Sequence, residues 1–218
     1  MGTVKQIIIN KKQIRHFDLS NFLPDKIEFK LAAEAVLRLN NSSAFSFKHL
    51  HFIIGLRARV DFDCLFKQLV GKRQYYVTAD LMGAYSQLNV NLLHNGQDQS
   101  EADYFLTINH QAANSFSKIT IRRLLQGRAR SNLYGLVKVW PQAKAVDSFL
   151  LDKTLLMGRR AQVVSKPDLK ILNNQAAVYH GVTVSRPDHK EIDYLTSRGF
   201  TNRQALNLVV QGFIKGKN

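Results

Sequence analysis

Apolar and polar residues alternate along most of this chain. Ile27, Phe29 and Leu31 alternate with Glu28 and Lys30, and Tyr104, Leu106 and Ile108 with Thr107 and Asn109. Leu133, Leu136, Val137 and Val139 lie in another β-rich run, as do Val163, Leu169 and Ile171. A period of two predicts strands with one buried face. Such strands recur from Gln6 to Val184, separated by Asn, Gly, Ser and Asp. That spacing suits a sandwich, a barrel or a β-solenoid. Ala32, Ala33, Glu34 and Ala35 are good helix formers. Alternation resumes at Leu37 and Leu39, however, which favours two strands meeting at the alanines.

The pattern changes after Pro187. Ile192 and Leu195 stand at helical spacing within His189 to Ser197, and Gly199 supplies a stop. Thr201 reads as an N-cap, with Gln204 as its capping-box partner. Ala205, Leu208, Val209, Gly212 and Phe213 are expected to form one apolar stripe. The chain thus divides into a β core over 1–187 and a helical region over 188–218. The two helices, joined by an Arg-Gly turn, are expected to pack on the β core.

Composition narrows the class. With 218 residues, 45% hydrophobic and 22% charged, the chain is long enough for one packed domain with a small appendage. Lys and Arg number 31 against 16 Asp and Glu, a formal charge of +15. The densest basic groups are Arg122, Arg123, Arg128 and Arg130, then Arg159 and Arg160. No block of consecutive basic residues suggests a nucleic-acid-binding tail, so a solvated basic surface is expected. The single cysteine, Cys64, excludes an internal disulfide and a cysteine zinc site. The N-terminal apolar run is too short for a signal peptide, and Gln6 breaks the myristoylation pattern that Gly2 would begin. No stretch reaches the length of a membrane span. A cytoplasmic protein is expected.

Familiar catalytic signatures are missing. The sequence has no phosphate-cradling Gly-Lys-Ser/Thr loop, no nucleophile elbow and no zinc-binding helix, so no enzyme is expected. Asp61-Phe62-Asp63-Cys64 sets two carboxylates beside the only thiol, which points to a buried structural cysteine. His49 and His51 would share one strand face. His110 reads as a turn residue at a strand end. His180, in Tyr179-His180-Gly181 near the end of the β region, is the histidine with most chemical interest.

Several segments, in order, resemble the SufB/SufD family of iron–sulfur cluster assembly scaffolds, and SufD fits better. Leu155-Leu156 leading through Gly158-Arg159-Arg160 to Ser165-Lys166-Pro167-Asp168-Leu169-Lys170-Ile171 is similar to the run that enters the family's last β-turns. His180-Gly181-Val182-Thr183-Val184 resembles its His-Gly-Ala-Thr segment. Ile192-Asp193-Tyr194-Leu195-Thr196-Ser197-Arg198-Gly199-Phe200 resembles its Tyr-Leu-x-Ser-Arg-Gly signature. The likeness is strong over about 104–213 and faint before that. The chain is also shorter than the family's usual length, and the region that precedes the family's β-helix is expected to be missing.

The resemblance implies a mainly β fold: a right-handed parallel β-helix ending in a short helical region that could cap the stack. It implies a non-enzymatic scaffold pairing with a SufB-like subunit and binding a SufC-like ABC ATPase. Tyr194, Arg198, Gly199 and Phe213 would form the ATPase-docking element. His180 would face the subunit interface as an iron–sulfur ligand. Family members often carry a cysteine two residues earlier, where this chain has Val178. Sulfur ligands would then come from the partner, and no cofactor would stay bound to this chain alone. Alone, it could self-associate along a sheet edge. The alternatives are a basic β-rich nucleic-acid-binding protein, which scattered charge disfavours, and a shortened SufD relative that has lost cluster assembly.

Overall fold

A computed structural model describes residues 4–19, 25–41, 48–67 and 71–216; Gly2 lies outside them. Among the described residues fourteen strands form two sheets, every pairing is parallel, and the chain alternates between the sheets. The odd sheet holds β1 (Val4–Ile9), β3 (Lys26–Leu31), β5 (His49–Ile54), β7 (Lys72–Leu81), β9 (Glu101–His110), β11 (Arg130–Val139) and β13 (Gln162–Ile171). The even sheet holds β2 (Ile14–Asp18), β4 (Val36–Asn41), β6 (Arg59–Lys67), β8 (Gln87–Gly96), β10 (Phe116–Leu125), β12 (Asp147–Leu156) and β14 (Ala177–Ser185). The fold is therefore a β-solenoid, each rung being one strand from each sheet. The alanine segment is a corner between β3 and β4, as the alternation suggested.

Alternation becomes a core because in-register stacking puts like positions over one another. Phe29 lies beside Phe52 in the register, and their stacked rings are 5.7 Å apart. Phe66, Tyr75 and Tyr104 continue the aromatic interior. Each fully buried large side chain contributes about 1.5–3 kcal/mol relative to exposure.

The corners repeat as well. At every odd-to-even corner from β1 to β12, one residue adopts a left-handed backbone: Lys12, Glu34, Arg57, Tyr85, Asn114 and Ala145. The first five donate their N–H to a corner carbonyl of the next rung, on Ala33, Leu56, Ala84, Ala113 and Lys144. The hydrogen-bond ladder thus continues through the bends, where an unsatisfied backbone group would be costly.

Two helices close the chain, α1 (His189–Ser197) and α2 (Asn202–Lys215). Thr201 caps α2 and forms the capping box with Gln204. Gly199, at φ 91°, makes the turn between the helices. The end of α2 lies against the outer face of the even sheet. Arg122 Nη2 donates to the Gly216 carbonyl, and Ile214 shares a groove with Leu93 and Arg122. Thr120, Leu124 and Leu155, on the outward parity of their strands, are also buried.

The helices therefore do not cap the stack. They leave β13 and β14 as the last strands of their sheets, each paired on one side only. The apolar stripe of α2 also differs from expectation. Ala205 is buried and Val209 and Phe213 are partly buried, but Leu208 and Gly212 are exposed. Successive residues turn by about 100° around a helix, so Leu208 leaves the face that Ala205, Val209 and Phe213 share with Leu206 and Val210.

Candidate partner interface and cluster-facing end

The open end of the solenoid is built from β13 and β14. In β14, Val178, His180, Val182 and Val184 share parity with Ser148, Leu150, Asp152 and Thr154 of β12, which are all buried. These positions face the interior in every earlier rung. With no further rung above them, Val182 is 44% and Val184 48% exposed, and His180 is exposed between them and Val178. A row of unpaired strand backbone runs beside them, a ready template for another chain. Pro167 in β13 fits this position, since an edge strand tolerates a residue with no N–H. Tyr179, on the outward parity, stacks on Phe149 at 5.2 Å.

Beneath this rung the interior turns polar. Arg123 is fully buried and forms a two-pronged ion pair with Asp152, its Nε donating to Oδ1 at 3.1 Å. Its Nη1 donates to the carbonyls of Ser131 and Val164. Burial pulls the guanidinium pKa down, and Asp152 opposes that shift. Arg123 is thus not part of the basic surface expected from the Arg122–Arg130 cluster. Its parity with Ile119, Ile121 and Leu125 is the signal that assigns it to the core.

His110 is likewise buried rather than a turn residue. Its Nδ1 meets Ser115 Oγ at 2.8 Å and its Nε2 meets Ser117 Oγ at 2.9 Å. Ser117 passes the chain to Ser148 at 2.7 Å. Burial lowers the His110 pKa to about 4. Cys64 is buried as expected. Its thiol is pushed up to about 12, chiefly by burial, so it offers no thiolate. His49 and His51 do share an outer face. His49 stacks on Tyr76 at 4.5 Å, and His51 sits between Glu28 at 3.2 Å and Asp80 at 2.7 Å. Among the described residues, no three His, Cys, Asp or Glu side chains gather into a metal-holding group.

At the helical end, Tyr194 is 58% exposed and carries the Arg198 guanidinium 5.3 Å over its ring. Gly199 follows directly in the turn. Phe213 lies apart from them in its burial, half covered on the inner side of α2. Phe200 and Leu208, which sequence reasoning left out of the docking set, are exposed and line a shallow groove with Gln204, Asn207 and Gln211.

The family profile described as "SUF system FeS cluster assembly, SufBD core domain" matches residues 13–213. The chain belongs to the SufBD family. The iron–sulfur cluster assembly protein SufD of Escherichia coli (strain K12) is 25% identical over 212 residues, covering 97% of this chain and 50% of that protein. SufBD family proteins of Porphyra purpurea and Mycobacterium bovis align over shorter stretches. The first is 29% identical over 53% of this chain and 24% of its own length. The second is 30% identical over 55% of this chain and 14% of its own length. The likeness to SufD thus runs nearly end to end in this chain, which spans about half the length of that relative. Among the described residues, no helix is long and apolar enough to cross a membrane.

Within this SufBD solenoid the outer face of the odd sheet carries a second ring stack. His49, Tyr76, Phe105 and Tyr134 stack in turn at 4.5, 4.7 and 5.1 Å, with Lys166 over the end ring. Their ring faces are spent on one another. Base stacking needs free faces, so this column gives nucleic-acid binding no support.

Proposed function

We propose that this chain is a SufD-like, non-enzymatic scaffold subunit of a SUF iron–sulfur assembly complex. It pairs with a SufB-like subunit through the open rung of β13 and β14 and carries a SufC-like ABC ATPase on residues 188–218. Residues 1–187 form the scaffold proper, working in the cytoplasm. The observation that carries this reading is the exposed, singly paired last rung, lying in the tail that most resembles the family.

In this reading the cluster is cargo, held transiently where two subunits meet. A neutral imidazole can ligate iron through one nitrogen while the other is oriented by a hydrogen bond. His180 is the accessible imidazole at that rung. Val178 and the buried, protonated Cys64 leave the sulfur ligands to the partner. Tyr194, Arg198 and Gly199, with Phe200 and Leu208 beside them, give the ATPase an exposed apolar and cationic surface. Phe213 supports it from below.

The test is co-expression with SufB and SufC followed by native mass measurement. A complex containing all three chains is expected; no complex with the terminal helices intact would overturn the reading. His180→Ala should leave that complex intact and lower its cluster content. An unchanged content would favour a relative that keeps the fold without the chemistry.

A further inference from the structure

The middle of the solenoid interior holds hydrogen-bonding groups that the chain leaves unsatisfied. His94 on β8 and Tyr104 on β9 are both fully buried. Their rings meet edge to face, with centroids 5.6 Å apart. Among the described residues, neither ring nitrogen of His94 nor the Tyr104 hydroxyl has a hydrogen-bond partner. A neutral imidazole carries one donor and one acceptor, and a phenol carries both on one oxygen. Each such group left dry in a core lowers the folding equilibrium by about 5- to 150-fold. Here that cost would fall repeatedly on one spot.

The walls around the two rings are identifiable. Phe66 is the register neighbour of His94 on one side and packs on Tyr104 with centroids 5.5 Å apart. Arg123 is the register neighbour on the other side, held by Asp152. Along β8, a Cβ on Gly96 would lie 3.0 Å from His94 Nε2, so glycine leaves the imidazole its space. The inward column continues from Arg123 through Thr154 to Val184, which is partly exposed. The Arg123–Asp152 pair therefore stands between His94 and the solvent at that end.

The chemistry of these walls selects a guest. A metal ion needs several ligands, and no three His, Cys, Asp or Glu side chains gather among the described residues. Burial and then the Arg123 charge lower the His94 pKa, so the same spot disfavours any cation. An anion gains little, because Asp152 already balances Arg123. An apolar guest would leave the polar atoms unpaired. A small neutral molecule that both donates and accepts satisfies them, and water is the one at hand. We infer that His94 and Tyr104 form an internal hydration site, where at least one trapped water bridges the imidazole and the phenol hydroxyl behind the Arg123–Asp152 pair. The water donates to the unprotonated ring nitrogen and accepts from the Tyr104 hydroxyl. A buried water of this kind makes two to four hydrogen bonds and is costly to remove. The inference is independent of the proposed partners.

Tyr104→Phe tests the site by the sign of its effect, since it deletes one oxygen and keeps the ring. At a dry site it removes an unsatisfied hydroxyl, and the unfolding equilibrium constant would fall about fivefold or more. At a hydrated site it removes a hydrogen bond, and the constant should rise about 2- to 10-fold. Urea denaturation of the full chain reads the difference. His94→Leu and the double variant complete a cycle, and a shared water should make the two losses non-additive. Water oxygen-17 relaxation dispersion counts long-lived internal waters directly. The double variant should hold at least one fewer than the wild type.

Stabilisation by Tyr104→Phe, additive losses in the cycle, or an unchanged count of internal waters would each overturn the inference. Should the double variant fail to fold, the sign of the Tyr104→Phe change decides it.

Discussion

Asp152 receives both Nε and Nη2 of Arg123 inside the solenoid, where neither side chain is more than 1% exposed. Removing one partner strands a buried charge. Arg123→Met should therefore cost about 3–5 kcal/mol, whereas replacing both residues by apolar ones of similar volume should restore most of that loss. Urea denaturation of the two single variants and the double variant measures the coupling. Additive losses would refute the pairing energetics.

Acid should unfold the protein through two buried histidines. Burial lowers the His94 pKa to about 3 and the His110 pKa to about 4. Both stay neutral in the folded chain while the unfolded chain binds protons below about pH 6.5. Stability therefore falls as the pH drops from about 6.5 toward 4, by up to about 1.4 kcal/mol per pH unit for each histidine. His94 meets no hydrogen-bond partner among the described residues. His94→Phe should remove about one proton's worth of that slope in a pH series of denaturation curves.

His51 works in the opposite direction. Its hydrogen bond to Asp80, and then the Asp80 charge and Glu28, raise its pKa against the effect of burial. That contribution is complete below about pH 6.5 and is lost as the pH rises through the raised value. The partner carboxylates have lowered pKa values, so their share fades only in acid. His51→Gln should flatten the stability profile above about pH 6.5, which the same series reads. An unaltered profile would place the stabilisation elsewhere.

The corners offer a contrast between two residues of similar size. Ala145 holds a left-handed φ of 51°. Ala145→Gly relieves that strain and should stabilise by about 0.5–1 kcal/mol. Gly158 packs against the Gly127 backbone with no room for a methyl group. Gly158→Ala must shift one corner against the next and should destabilise by at least about 1–3 kcal/mol. Thermal melts of the two variants should move in opposite directions.

The caps of α2 should act locally. Thr201→Ala removes a side-chain acceptor for the Gln204 N–H and half of the capping box, at about 1 kcal/mol of helix stability. Amide exchange should speed up in the first turn of α2 while β10 and β12 exchange as before. Faster exchange throughout the solenoid would mean that the helices hold the stack together.

Much of this was readable in the chain because alternation is a local signal. Ile27, Phe29 and Leu31 needed only their neighbours to be assigned inward, and Thr201 with Gln204 announced a helix start. The errors came where position in the stack decides the environment. Arg123 looks basic and superficial beside Arg122, yet one step along a strand reverses the face. His110 closes a strand, but the following corner returns two serines to its ring. Leu208 looked like a stripe residue until the helix turned it outward. Resemblance singled out His180, but its exposure follows from the absence of another rung over β14, which no local pattern encodes.

The left-handed corners and their ladder also bear on how the structure gives way. In a solenoid each layer is stabilised mainly by the two layers it touches. The layer of β13 and β14 touches one, as does the layer of β1 and β2 at the other end. Opening should therefore begin at these end layers and move inward, giving amide protection that rises from β14 to the middle of the stack. A subunit docked on the last layer, as proposed, would supply the missing neighbour. Binding would then arrest fraying at the layer that carries His180, and assembly of the complex would finish the folding of its own contact surface.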